Sequence, residues 1–126
     1  MRPGVWARPD NLDRAWPGPM PGRVWRFTGR PEFDEPRPAD LAARLWDLSG
    51  WADGAEALVR AMRGGREPAE RFVAAAAIVR HLRDDPVLPP ALLPRGWPGA
   101  RLRAAYDDYR RELGEMLTRE RARSAR

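Results

Sequence analysis

The side chains equipped for chemistry are few and scattered. There is one histidine, His81, there are two serines, Ser49 and Ser124, and there is no cysteine. A nucleophilic triad needs a hydroxyl or thiol held beside a base. Ser49 instead reads as a helix cap, and Ser124 lies in an arginine-rich tail. One histidine without cysteine or a second histidine does not assemble a zinc site of the usual type, so no metal is expected. The carboxylate pairs Asp84/Asp85 and Asp107/Asp108 are neighbours in sequence. On a helix, neighbours diverge by about 100° and do not converge on a substrate. Asp84 or Asp85 is better suited to closing a helix or capping the turn before Pro86. No glycine-rich loop of phosphate-binding spacing occurs. The reading is therefore of a protein that is not an enzyme and carries no cofactor.

Binding chemistry is better represented. His81, Arg83, Arg95, Arg101 and Arg103 flank a proline-rich stretch, with Trp97 and Tyr106 among them. Guanidinium groups hold phosphates and aromatic faces stack on rings, so these types suit an anion that also carries an aromatic group. Each residue has a structural alternative. Trp97 can plug the core, Tyr106 can pack behind it, His81 can be a hydrogen-bonding residue near a helix end, and the arginines can be solvated.

The stretch that these residues flank runs from His81 to Gly99. Prolines at 86, 89, 90, 94 and 98 fix φ and remove backbone donors, which excludes a long helix or a central strand. Val87, Leu88, Leu92, Leu93 and Trp97 lie between them, where a flexible linker would carry Ser and Gly. The segment is expected to be a stiff connector packed on a core.

Helical patterns surround the connector. Leu41, Leu45 and Leu48 recur at helical spacing after Pro38, a favourable first helical residue. Ser49-Gly50 interrupts them, with Ser49 placed to cap a second helix whose apolar face is Trp51, Ala55, Leu58, Val59 and Met62. Gly64-Gly65 ends that helix. A third starts near Pro68, with Glu67 and Glu70 at its positive end, and presents Phe72, Ala75, Ala76, Val79 and Leu82. A fourth follows Pro98-Gly99 and carries Leu102, Ala105, Tyr106, Tyr109, Leu113, Met116 and Leu117. These stripes suffice for one bundle, and a stiff connector between helices three and four can leave a cleft for a small ligand. Residues 1–38 differ. They hold eight of the fourteen prolines and support only short strands, at 5–8 and 23–28. The expected class is α+β and predominantly helical: a partial α/β region over 1–38, then a four-helix domain over 39–126.

Composition sets the remaining bounds. With 126 residues, 43% hydrophobic and 33% charged, one globular core is expected. No apolar run approaches the roughly 18 residues of a membrane helix, and no signal-peptide pattern opens the chain, so a cytoplasmic protein is expected. The net charge is +5, yet all 23 basic residues are arginine, as a GC-rich coding sequence would favour. Basic and acidic residues alternate except at Arg119, Arg121, Arg123 and Arg126, which reads as a solvated helix end more than as a nucleic-acid footprint.

Three segments resemble a known family. Asp85-Pro86 through Leu92-Leu93-Pro94 to Trp97-Pro98-Gly99, followed by Leu102-Arg103-Ala104-Ala105-Tyr106, is similar to the C-terminal region of the PaaX-like transcriptional repressors. Gly4-Val5-Trp6-Ala7-Arg8-Pro9-Asp10-Asn11-Leu12 and Trp46-Asp47-Leu48 resemble two further family motifs. The resemblance implies a ferredoxin-like origin for residues 1–38 and a helical C-terminal part that dimerises and senses an aryl-acyl-CoA, with phenylacetyl-CoA as the type effector. It also implies that Met1 falls partway through the family's middle region. DNA would then be reached only through an N-terminal winged helix-turn-helix that this chain lacks. His81, Arg83, Trp97, Arg103 and Tyr106 are the candidate effector-binding residues. The other reading is a stand-alone module that pairs with a full-length paralogue and binds neither DNA nor ligand.

Overall fold

The computed structural model describes Gly29, Glu32 and residues 37–125. The two expected strands lie outside the described residues. Among those described, the protein is helical: α1 (Pro38–Leu45), α2 (Leu48–Gly64), α3 (Pro68–Arg83), a short 3-10 turn (Pro90–Leu92) and α4 (Gly99–Ser124).

Local chemistry explains the boundaries. Pro38 opens α1, where its missing N–H has no intrahelical partner to lose. The α1 stripe does not extend to Leu48 as its spacing suggests. Trp46 adopts extended backbone, α1 stops at Leu45, and Leu48 is buried in the first turn of α2. The cap of α2 is Asp47 and not Ser49: its carboxylate accepts from the Gly50 N–H at 3.0 Å and from the Ser49 hydroxyl at 3.4 Å. A carboxylate at this position also meets the positive end of the helix dipole. Glu70 does similar work for α3, accepting from the backbone N–H of Arg66 at 3.1 Å and of Glu67 at 3.3 Å. Gly65 closes α2 as expected.

Three of the four helices form the bundle. Trp51, Ala55, Val59 and Met62 of α2 pack with Ala74, Ala75 and Ile78 of α3 and Leu102 of α4. The burial of α3 differs from the Phe72-Ala75-Ala76-Val79-Leu82 face that its spacing suggests. Ala74, Ala75 and Ile78 face inward, while Phe72 is 63% and Val73 67% exposed. The small residues let α3 approach α2 and α4 closely. Arg71 fixes its rotation, since its guanidinium pairs with Glu112 at 2.7 Å and sits over the Tyr109 ring.

Helix α1 stands outside this bundle and packs on the connector's 3-10 turn. Ala42, Leu48 and Leu88 form a second small core, with Trp46, Leu92, Leu93 and Trp97 against it. The connector is thus packed, as its apolar content implied. Trp97 touches both cores and locks them together. Two residues of the connector adopt positive φ: Gly96 at 73°, which glycine tolerates, and Val87 at 49°, where a β-branched side chain is strained.

Candidate functional site

The polar and aromatic groups converge where the connector leaves α3. Trp51 and His81 clasp each other across α2 and α3. The indole N–H of Trp51 donates to the His81 carbonyl at 3.2 Å, and His81 Nε2 lies 2.8 Å from the Trp51 carbonyl. A carbonyl only accepts, so Nε2 carries the proton. The two rings stack at 4.7 Å, and Trp97 stacks on the same indole at 4.7 Å with 12° between planes. Glycine makes this possible, since a Cβ at Gly54 would lie 2.7 Å from His81 Cε1 and one at Gly99 2.8 Å from the Trp97 ring nitrogen.

Beside this stack is an open cleft of about 360 Å³, lined by Trp46, Asp47, Gly50, Trp51, His81, Asp84 and Pro86. It lies where the α1–α2 junction, the end of α3 and the start of the connector meet. Its walls combine two indoles and an imidazole with two carboxylates, and no arginine lines it. Asp47 is engaged as the α2 cap, and neither Asp47 nor Asp84 forms an ion pair among the described residues.

A second constellation braces the connector. Asp85 accepts from the Val87 N–H at 2.9 Å, holding the positive-φ turn, and the same carboxylate receives the Arg103 guanidinium from α4. Its side chain is 3% exposed and that of Arg103 49%. Arg101 pairs with Glu56 of α2, and both of those side chains stay open to solvent. Asp84 is the residue that closes α3. The two neighbouring carboxylates therefore point to separate tasks, as expected.

The five candidate residues do not form one site. His81 lines the cleft and Trp97 supports it through Trp51. Tyr106 is half-buried against the bundle core. Arg103 is committed to Asp85. Arg83, one residue before Asp84, is exposed and makes no ion pair among the described residues. Sequence reasoning missed Trp46, Asp47, Gly50, Trp51, Asp84 and Pro86 as a set. By spacing alone Trp51 is one more residue of the α2 core face, and only tertiary packing brings the others to it.

A family model described as the PaaX-like protein C-terminal domain matches residues 41–120, which includes all four helices' packed portions and the connector. The chain belongs to the PaaX-like family. Among solved structures, it is similar to an uncharacterised protein from Mycobacterium tuberculosis, with 48% identity and a TM-score of 0.76. That similarity covers 86% of this chain and 44% of the mycobacterial one, so the chain spans less than half the length of that relative. No curated protein matches. PaaX-like membership relates the chain to regulators and not to enzymes. Among the described residues, no helix is long and apolar enough to cross a membrane, and no group of three or more potential ligands that could hold a metal ion occurs.

Proposed function

We propose that this chain is the effector-sensing and dimerising part of a PaaX-like transcriptional regulator, responsive to an aryl-acyl-CoA. What supports the reading is family membership over residues 41–120 together with an aromatic-walled cleft at the junction of the two cores. An aryl group inserted between Trp46 and the α3 end would touch both cores at once. Ligand binding there would favour one disposition of α1 and connector over another, which is how a ligand shifts a population.

The charges divide the work among the candidate residues. Asp47 and Asp84 repel a phosphate, so the nucleotide end of the ligand leaves the cleft towards Arg83. His81 and Trp97 hold the Trp51 wall, Tyr106 packs behind it, and Arg103 positions the connector through Asp85. DNA binding in this reading belongs to a winged helix-turn-helix elsewhere.

Titration calorimetry of the intact chain with phenylacetyl-CoA, free CoA and phenylacetate tests this. Phenylacetyl-CoA is expected to bind at least tenfold more tightly than either fragment, with Arg83→Ala and Trp46→Ala each weakening it. Absence of heat with any aryl-acyl-CoA would remove the effector role.

A second reading, a module that pairs with a full-length paralogue, is favoured by Phe72 and Val73, large apolar side chains that the described residues leave uncovered. Co-purification with such a paralogue, abolished by Phe72→Glu, is its expected signature.

A further inference from the structure

The connector between α3 and α4 has unusual backbone at both ends. Val87 and Gly96, the two residues with positive φ among those described, bracket the stretch 88–95. Each stands close to an anchored residue. Asp85, two residues before Val87, has a buried carboxylate that receives the Arg103 guanidinium from α4. Trp97, directly after Gly96, stacks on Trp51 of the bundle. Between these anchors the chain packs away from the bundle. Leu88, Leu92 and Leu93 gather with Ala42, Trp46 and Leu48 in the second small core, and the 3-10 turn packs on α1. Among the described residues, Trp97 is the one side chain that this core shares with the core of the bundle. Three buried side chains hold this lobe and eight hold the bundle, again among those described, so the lobe has less apolar burial to lose on opening. The remaining crossing is Trp46, extended between α1 and α2. α1 and residues 88–95 thus form one body, joined to the bundle at Trp46, Val87 and Gly96.

Val87 is where this closed arrangement is under tension. A β-branched residue at φ 49° persists only when its surroundings impose it. Pro86 restricts the approach, and the Asp85 carboxylate accepts the Val87 N–H at 2.9 Å. That carboxylate is kept in place by Arg103. Without the guanidinium, a buried charge would turn to water, release the Val87 N–H and let Val87 return to extended backbone. One carboxylate therefore couples an ion pair to a strained pivot. The cleft lies across the same seam, with Trp46 and Pro86 on the lobe side, Trp51 and His81 on the bundle side, and Asp84 and Pro86 flanking Asp85.

We infer that α1 and residues 88–95 swing off the bundle as a unit, pivoting at Trp46, Val87 and Gly96, and that the Asp85–Arg103 pair is the latch that holds them closed. Opening exposes the second core and draws the two walls of the cleft apart. A molecule seated in the cleft touches both walls and so favours the closed arrangement. In that last step the inference rests on the proposed function, which it deepens by naming the moving body and its latch. The motion itself is tested without ligand, so absence of heat with an aryl-acyl-CoA would leave it standing, and its own failure would leave the calorimetry untouched.

Native-state hydrogen exchange of the intact chain, followed amide by amide by NMR, is the test. The lobe is read at Trp46, Leu92 and Leu93, whose N–H groups donate to the carbonyls of Ala42, Pro89 and Pro90, and the bundle at the slowest amides of α2 and α3. Lobe amides are expected to be protected, yet to exchange at least tenfold faster than those of the bundle. Arg103→Ala is expected to speed them at least tenfold further, and Val87→Gly to slow them at least threefold. Ile78→Ala decides whether the motion is separate, because it weakens the bundle equally with the lobe open or closed. It should speed the bundle amides at least tenfold and leave the lobe amides within twofold of wild type. Ile78→Val gives the same pattern at smaller amplitude should Ile78→Ala not fold. Lobe amides that are unprotected in the wild type, that follow the bundle in the Ile78 variants, that ignore Arg103→Ala, or that speed up in Val87→Gly would each overturn the inference.

Discussion

Replacing Arg103 by alanine distinguishes a brace from a free phosphate-binding arginine. A solvated arginine at this position would cost little to remove, since surface substitutions usually fall within about 0.5 kcal/mol. The geometry places its guanidinium on Asp85, whose carboxylate is 3% exposed and also holds the Val87 N–H at 2.9 Å. Truncation leaves that carboxylate short of its charged partner in a site with little access to water. Breaking a fully buried pair costs about 3–5 kcal/mol, and a hydrogen bond to a charged group contributes about 1.5–3 kcal/mol. Because Arg103 is itself 49% exposed and water can enter beside it, the lower range applies. The expected loss is about 2 kcal/mol, or about 8 °C in Tm for a domain of this size. Urea unfolding followed by far-UV circular dichroism measures it. Asp85→Asn keeps an acceptor for Val87 and removes the charge, so in the Arg103→Ala/Asp85→Asn cycle the coupling is expected to exceed about 1 kcal/mol. A loss below about 0.5 kcal/mol for Arg103→Ala, or additive single effects, would refute the brace.

Other perturbations follow from the same packing. Ile78 is fully buried between α2 and α4, so Ile78→Ala is expected to cost about 3 kcal/mol in urea unfolding. Gly54→Ala drives a methyl into His81 and should cost about 1–3 kcal/mol by strain, and the penalty should shrink when His81→Ala is made in the same molecule. Val87→Gly relieves a β-branched residue at φ 49° and is expected to stabilise by about 1 kcal/mol in thermal melts, with a lower Tm as the contrary result.

Helix limits were legible where local chemistry decides them. Pro38, Pro68, Gly64-Gly65 and Pro98-Gly99 mark the ends they were expected to mark. The first junction was not, because Asp47 and Ser49 are both competent caps and only the observed turn at Trp46 chooses between them. The rotation of α3 was hidden for a different reason. Its sequence is apolar on several sides, and the inward face is set by Arg71 reaching α4 and by alanines that admit close neighbours, neither of which leaves a periodic signal. The packing of the proline-rich connector was legible, since Leu88 and Trp97 have no other reason to sit among prolines. The candidate site was only half visible. His81 and Trp97 mark the stack, but the cleft wall comes from Trp46, Asp47 and Asp84, residues that are distant in sequence and individually unremarkable. Arginine spacing alone does not distinguish Arg103, held by Asp85, from Arg83, which is unpaired among the described residues.

The effector role is tested most directly by recording the indole N–H resonances of the intact chain by heteronuclear NMR during titration with phenylacetyl-CoA. Saturable shifts of the Trp46 and Trp51 signals, absent with free CoA, are the expected result. Indoles of Trp46 and Trp51 that stay unmoved at saturating ligand would contradict an effector site in the cleft.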